Sequence, residues 1–527
     1  MLPLAAVAQS GNVVRGGCLP VNDDDAQENV AAARGRRPYR LTVRNDWDAQ
    51  RTYRQAVVLV SFSDRDFSFE NPRETYDSIF NYPGYNQRKG PGCIAEYFRE
   101  QSGGLFNVVF DVYGPYKLSD KAKINANADK NTHEYGTRQL LAATEQWIAE
   151  DVTRNHAPYD WDGDNAIDQV IYVYAGYGGN QDSQEAYGHI WPNTSAFSHF
   201  SIISTHDGYS VPNYTCSSEL NVSGKSWGIG TICHEFSHSL GLPDIYPTNS
   251  NAGYSVVDEW DLMDGGNFTN GGWCPPNYSG LEKMLLGWLS PEELVEPQTI
   301  TAMKPVSEGG PIYMVRHTDN EYLLLENRQW SGWDSRLPGR GLVIFHVDYD
   351  AKAWTDNSLN GSRSHRRYQL VSADGRDYSA WSTIIGDNNP YVGGHNRHLS
   401  QSAYPWYDTA DTIVTDGLDY LNTLPVLNRE LTDTSNPAAV MFNTNTDGSK
   451  LLSKTITNIT MSDDGLVSFD FGGTPTAVRS INTGVSQFPV MVYDLSGHCV
   501  GRRLESQRPG LYIVRQPDGT ARKVVKR

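Results

Sequence analysis

Cysteine is scarce: six in 527 residues, at positions 18, 93, 216, 233, 274 and 499, with no two at metal-ligand spacing. That excludes a cysteine-built zinc module and leaves too few for a disulfide scaffold. Cys216, Cys233 and Cys274 bracket one region and leave two readings open, a single bridge or buried free thiols. Apolar runs of membrane-spanning length are missing, so no transmembrane segment is expected. Positive charge is in deficit, 44 Lys and Arg against 62 Asp and Glu, for a formal net charge of −18. Nucleic acid and anionic membrane are therefore poor candidates for the main partner. The start, MLPLAAVAQS, lacks a basic n-region and a full h-region but carries Ala6-Val7-Ala8, an A-x-A cleavage pattern. It reads as the end of a secretory signal. What is present is globular, 39% hydrophobic and 20% charged, on a chain too long for one ordinary core.

One stretch stands apart from the rest, Thr231 to Tyr246, TICHEFSHSLGLPDIY. His234 and His238 are four residues apart, so on an α-helix both imidazoles leave one face about one turn apart. Two neutral imidazoles so placed can bind one Zn²⁺, and Glu235 beside them can act on a coordinated water as general base. The helix alone cannot bring a third ligand. Gly241 is placed to turn the chain, because glycine adopts a left-handed C-cap at no steric cost, and Pro243 then blocks further helix. Asp244 can present its carboxylate to the metal from the returning chain. A helix that carried two histidines by accident has no reason to show Gly and Asp at these offsets as well.

The run HEFSHSLGLPDIY, followed by Trp260–Gly266 (WDLMDGG) and Glu282–Trp288 (EKMLLGW), closely resembles the immune inhibitor A-like secreted metalloproteases of the metzincin clan. Ala95–Pro115 and Leu323–Asp348 resemble that family too, so the likeness covers roughly residues 50–475. The resemblance implies a zinc endopeptidase acting on protein or peptide substrates, with His234, His238 and Asp244 as ligands, Glu235 as base and Met263 in a turn beneath the metal. Most metzincins carry His where this chain has Asp244, and an Asp there is typical of this family. Some relatives place a Tyr two residues after the Met; Gly265 stands there, so no such tyrosine is assigned.

In chain order, residues 1–50 read as signal remnant and leader or pro-segment. Within them Arg15–Pro20 (RGGCLP) is similar to the cysteine switches of some metzincin zymogens. The apolar runs Ala56–Phe62 and Gln169–Ala175 are expected as buried strands, and Leu105–Val112 as a further strand. Gly92–Gln101 and Asn131–Asp151 are expected as helices, and Tyr214–Leu220 as the edge strand beside which an extended substrate lies. Together these predict an α+β metzincin-like catalytic domain over 51–290, its lower subdomain starting near 241. Asp160, Asp162, Asp164 and Asp168 alternate in the manner of an EF-hand loop and are candidate Ca²⁺ ligands, although Asn165 replaces the usual Gly and Ile171 the final Glu. An acidic solvated turn is the competing reading.

From 291 to 473 short alternating segments (Ile312–Val315, Tyr322–Leu325, Leu342–Val347, Leu466–Phe471) predict an antiparallel β-sandwich domain, with long loops over Gly375–Ser435. Its lone histidines His346, His365, His395 and His398 read as satisfied groups rather than ligands. Residues 474–527 resemble type IX secretion sorting domains, which implies a small C-terminal β module with hairpin turns at Ser496-Gly497 and Asp518-Gly519 and secretion machinery as a partner. A module that simply caps the preceding sandwich is the alternative.

Competing chemistries fare less well. Gly224–Gly228 (GKSWG) satisfies the G-x-S-x-G pattern of serine hydrolases, but polar residues precede Ser226 and Gly228 and Gly230 follow it, where an elbow needs a buried strand and an immediate helix. The same Gly-Lys-Ser fails as a phosphate loop because Glu219 stands where a Gly is needed. Glu282 is a candidate third zinc ligand in the manner of other zincins, which Gly241 and Met263 disfavour. A surface adhesin keeping an idle protease scaffold would have no need of an intact His234, Glu235, His238 and Asp244.

Overall fold

The computed structural model describes residues 43–85, 90–123, 132–181, 188–197, 203–221, 223–248, 255–362, 364–376, 399–408, 424–472, 491–493, 499–501, 510–515 and 521–526. Residues 1–42 of the leader, with Ala6-Val7-Ala8 and Cys18, together with His395, His398, much of the Gly375–Ser435 loop and the turns at Ser496-Gly497 and Asp518-Gly519, lie outside them.

The apolar run Ala56–Phe62 forms the body of β1 (Thr52–Ser61), the second strand of a five-stranded sheet. Its companions are β2 (Asn107–Lys117), β3 (Val170–Tyr177), β4 (Asn193–Ala196) and β5 (Asn213–Leu220), in the order β2-β1-β3-β5-β4. The first four in that order run parallel, and β4 is antiparallel to β5. A parallel sheet is covered on both faces, which is why these strands read as unbroken apolar runs rather than as alternation. Val57 and Leu59 enter one core with Ile232 and Phe236. Ala56, Val58 and Val60 enter another with Leu140, Ala143 and Trp147. The latter come from α3 (Thr132–Glu150), while α1 (Pro72–Asn81) and α2 (Ile94–Gln101) contribute Ile79, Phe80, Tyr97 and Phe98 to the first core.

One expectation is corrected here. Tyr214–Leu220 is not the sheet edge: β4 lies outside it, pairing Thr194 with Thr215 and Ser195 with Tyr214. Asn193–Ala196 (NTSA) is too short and polar to register as a strand, so the pairing that covers β5 is invisible to periodicity.

The helix α4 (Gly230–Ser239) follows β5. Its start is pressed against the chain downstream: a Cβ on Gly230 would fall 2.0 Å from the Asn267 carbonyl oxygen. α5 (Gly280–Leu285) begins with a capping box in which Ser279 and Glu282 satisfy each other's backbone groups.

Past residue 290 the chain is β-rich. β6 (Glu292–Glu293), β8 (Ile312–Arg316), β9 (Glu321–Arg328), β10 (Gly341–Asp348) and β11 (Tyr368–Leu370) form a sheet ordered β11-β10-β9-β8-β6. β7 (Gln298–Met303), β12 (Ile456–Met461) and β13 (Val467–Phe471) form a three-stranded sheet. Leu323, Leu325 and Ile344 pack with Ile300, Ile456 and Phe469. The alternate residues Leu324, Val343 and Phe345 share the core that holds Ile232 and Phe236 of α4, so the central strands β9 and β10 are buried on both faces. Between β10 and β11 sits a short helix, α6 (Ala351–Thr355), capped by the Asp350 carboxylate. His346 is indeed satisfied, its Nε2 lying 2.8 Å from Glu321 Oε1.

Residues 475–527 form a separate compact unit. Its strands β14 (Met491–Tyr493), β15 (Cys499–Gly501), β16 (Gly510–Arg515) and β17 (Ala521–Lys526) make an antiparallel sheet ordered β15-β14-β16-β17. Among the described residues no helix is long and apolar enough to cross a membrane.

Candidate metal centre

The centre is assembled by one helix end and the loop that leaves it. α4 stops at Ser239, and Gly241, at φ +100°, turns the chain back. The Gly241 N–H donates to the His238 carbonyl (3.0 Å) and the Leu242 N–H to that of Ser237 (3.2 Å), a Schellman closure that glycine makes without strain. The returning chain brings Asp244 under the two histidines: Oδ1 lies 3.1 Å from His234 Nε2 and 3.3 Å from His238 Nε2. All three side chains are buried, and their donor atoms lie within 4.8 Å of one another.

Both ring tautomers are set by the backbone. His234 Nδ1 is 2.8 Å from the Leu262 carbonyl and His238 Nδ1 is 2.7 Å from that of Leu242, so each Nδ1–H donates to the backbone and each Nε2 is turned toward Asp244. The rings are nearly perpendicular at 88°. Burial opposes ionisation of Asp244, but the imidazoles of His238 and His234 outweigh it and hold the carboxyl well below its usual range. Burial likewise opposes a charge on His238, and Asp244 and then Glu235 overcome it, raising that pKa to about 9. Two imidazole nitrogens and an ionised carboxylate, each steadied from behind, are the donor set that suits Zn²⁺ with one position open.

Glu235 is buried between this cluster and the sheet edge. The Thr194 hydroxyl donates to its backbone carbonyl (2.6 Å) and lies 3.1 Å from Oε2. Below the histidines runs the Leu262-Met263 turn: the Ile245 N–H donates to the Met263 carbonyl (2.8 Å), and Asp264 Oδ2 accepts from the N–H groups of Val256, Val257 and Asp258. Glu282 is not brought into the donor group. It takes the N–H of Ser279 at 2.7 Å, and burial with the adjacent Asp261 carboxylate pushes its pKa up. Ser226 pairs with Leu220 in a turn past β5, not at a strand-to-helix elbow.

Three of the four acidic-loop residues, Asp160, Asp162 and Asp168, have carboxylate oxygens within 4.8 Å of one another. Asp164 does not join them; its Oδ1 accepts from the Ala166 N–H at 2.8 Å. The guanidinium of Arg44 is hydrogen-bonded to Asp168 and lies 3.8 Å from Asp162, a cation supplied by the chain itself. Cys93, Cys216, Cys233 and Cys274 are all buried free thiols.

Residues beyond the motif complete the centre. The Asn357 Nδ2–H donates to Asp244 Oδ2 (2.8 Å) and its Oδ1 accepts the Asp244 N–H (2.7 Å). Neither Asn357 nor Thr194 carries a local signal, since one is an asparagine in a polar loop and the other sits in an unremarked strand.

Fold and site together define a domain whose buried His234, His238 and Asp244 can hold a metal ion. Residues 60–286 match the family model of the Immune inhibitor A peptidase M6, catalytic domain. Among curated relatives, the pre-pro-metalloprotease PrtV of two Vibrio cholerae serotype O1 strains is 24% identical over 311 residues, 50% of this chain and 32% of theirs. Immune inhibitor A of Bacillus thuringiensis subsp. alesti is 26% identical over 217 residues, 36% of this chain and 31% of its own. The matched part thus spans about a third of the length of these relatives.

Proposed function

We propose that the chain is a secreted zinc-dependent endopeptidase that hydrolyses peptide bonds in proteins or peptides. The observation that carries this is the convergence of His234, His238 and Asp244 donor atoms within 4.8 Å, inside a segment matching a peptidase catalytic domain. His234, His238 and Asp244 would hold Zn²⁺, which would supply Lewis acidity and would make a water more acidic, its pKa falling from about 15.7 toward 7. The backbone carbonyls of Leu262 and Leu242 keep the two rings aimed. Glu235 accepts the proton of the attacking water and returns it to the leaving amine. Thr194 steadies Glu235 from β4, and an extended substrate aligns along that same strand, the antiparallel edge of the sheet.

Further parts of the reading follow the sequence. Residues 291–473 form a β-sandwich domain and 474–527 a sorting module that engages secretion machinery, supported by the antiparallel sheet of that unit. Ca²⁺ at Asp160, Asp162 and Asp168 has to compete with the Arg44 guanidinium.

The test is Glu235→Gln. It retains stoichiometric zinc by metal analysis while casein cleavage falls by more than about 100-fold, the lower end expected for loss of a general base. A fully active variant refutes the assignment.

A further inference from the structure

The loop that carries Asp244 is held from the far side by one short segment between β10 and β11. Trp354 Nε1–H donates to the Gly241 carbonyl (2.9 Å). Asn357 makes its reciprocal pair with Asp244, and its carbonyl accepts from the Thr248 hydroxyl (2.6 Å). Asn360 Nδ2–H donates to the Ile245 carbonyl (2.7 Å) and to that of Tyr368 (3.0 Å) in β11. Its Oδ1 accepts the N–H groups of Arg367 and Tyr368. Every residue from Gly241 to Ile245 is buried, as are Trp354, Asn357 and Asn360. Asn357 reaches the carboxylate because its own backbone is left-handed, φ +51°, which asparagine tolerates better than other residues with a Cβ.

A carboxylate has two oxygens and can rotate. In this chain Oδ1 faces both imidazoles, while Oδ2 is fixed by the amide of Asn357. The amide also holds the Asp244 backbone, so one side chain sets both position and rotation of the third donor. Asn357 lies beyond the last residue, 286, of the matched catalytic segment. Building on the zinc reading above, we infer that Asn357 is a positioning residue for Asp244, and that the segment Trp354–Asn360 is a clamp through which the downstream sheet completes the metal centre. The catalytic segment by itself carries all three donors but not the group that orients one of them.

Two variants of the full chain test this. Asn357→Gly removes both hydrogen bonds while glycine keeps the left-handed backbone. Asn357→Asp keeps the backbone preference and the acceptor for the Asp244 N–H, and replaces the donor by a carboxylate facing Asp244. Zn²⁺ affinity is measured by competition with a chromophoric chelator, and Co²⁺ is used as a spectroscopic probe of coordination. Each variant is expected to bind Zn²⁺ about 10–100-fold more weakly and to give an altered Co²⁺ d–d spectrum, while the metal-free far-UV circular dichroism matches wild type. A merely structural role would leave the Co²⁺ spectrum unchanged. If Asn357→Gly fails to fold, Asn357→Asp decides. Affinity within about two-fold of wild type together with an unaltered spectrum overturns the inference. A wild-type chain that takes up no stoichiometric Zn²⁺, or one that binds it equally after His238→Ala, sinks the zinc reading itself and this inference with it.

Discussion

Arg328 is the charge on which the junction between α5 and β9 depends. It is fully buried, its Nε and Nη2 donate to the two carboxylate oxygens of Asp334 at 2.7 and 2.8 Å, and Nη1 donates to Glu326 at 3.1 Å. Its Nη2 also donates to the Asn277 carbonyl (3.1 Å). The two carboxylates pass the grip on: Asp334 accepts the Asn277 N–H at 2.9 Å and Glu326 the Gly280 N–H at 2.6 Å. The loop leading into α5 is thereby tied to β9 by one guanidinium and its partners. Arg328→Met fills a similar volume but takes from two buried carboxylates the guanidinium that hydrogen-bonds them, leaving only the nearby Lys283 as a counter-charge. Removing one partner of a buried pair costs roughly 3–5 kcal/mol, because the remaining charge is stranded rather than because the pair itself stabilises strongly. Equilibrium urea unfolding followed by tryptophan fluorescence should show a loss of about that size. The logic has an internal check: adding Glu326→Gln and Asp334→Asn to Arg328→Met removes the stranded charges and should recover most of the loss. A single variant within about 1 kcal/mol of wild type would falsify the view that this network is desolvated and interdependent.

Other perturbations read different parts of the same architecture. Gly241→Ala places a Cβ on a residue at φ +100°, a strain of about 1–3 kcal/mol that displaces Asp244, so both zinc affinity and stability should fall; unchanged chelator competition would contradict the role given to this turn. Asp264 is raised from 3.8 to about 6, first by burial and then by the neighbouring Asp258 carboxylate. A raised acid stabilises the folded chain at low pH and loses that contribution as pH climbs through its folded value. Urea titrations from pH 4 to 6 should therefore show wild type losing stability relative to Asp264→Asn, and parallel curves for the two would refute the assignment. Asp168, raised to about 6 chiefly by burial, has the same sign, so Asp264→Asn should flatten the slope without abolishing it.

What the sequence disclosed and what it withheld divide along a physical line. His234, His238, Gly241 and Asp244 lie within one helix and its exit, so spacing and glycine conformation suffice to bring them together. The runs in β1 and β3 declared burial through composition alone. Thr194 and Asn357 could not be found this way, because what ties each to the site is a pairing across 41 and 113 residues of chain. Periodicity says which face of a strand is apolar and does not say what covers it. β9 and β10 were legible as strands, yet Leu324 and Phe345 pack into the core of α4 rather than into one closed within the downstream sheets. The same feature accounts for why the Trp354–Asn360 segment reaches Asp244 at all. A sheet whose one face shares the core of α4 holds its adjoining loops beside the His234–Asp244 segment, where the left-handed Asn357, just past a short helix, touches the loop that carries Asp244. The geometry of the third donor is thus a property of the long-range packing, even though its identity is written in the motif.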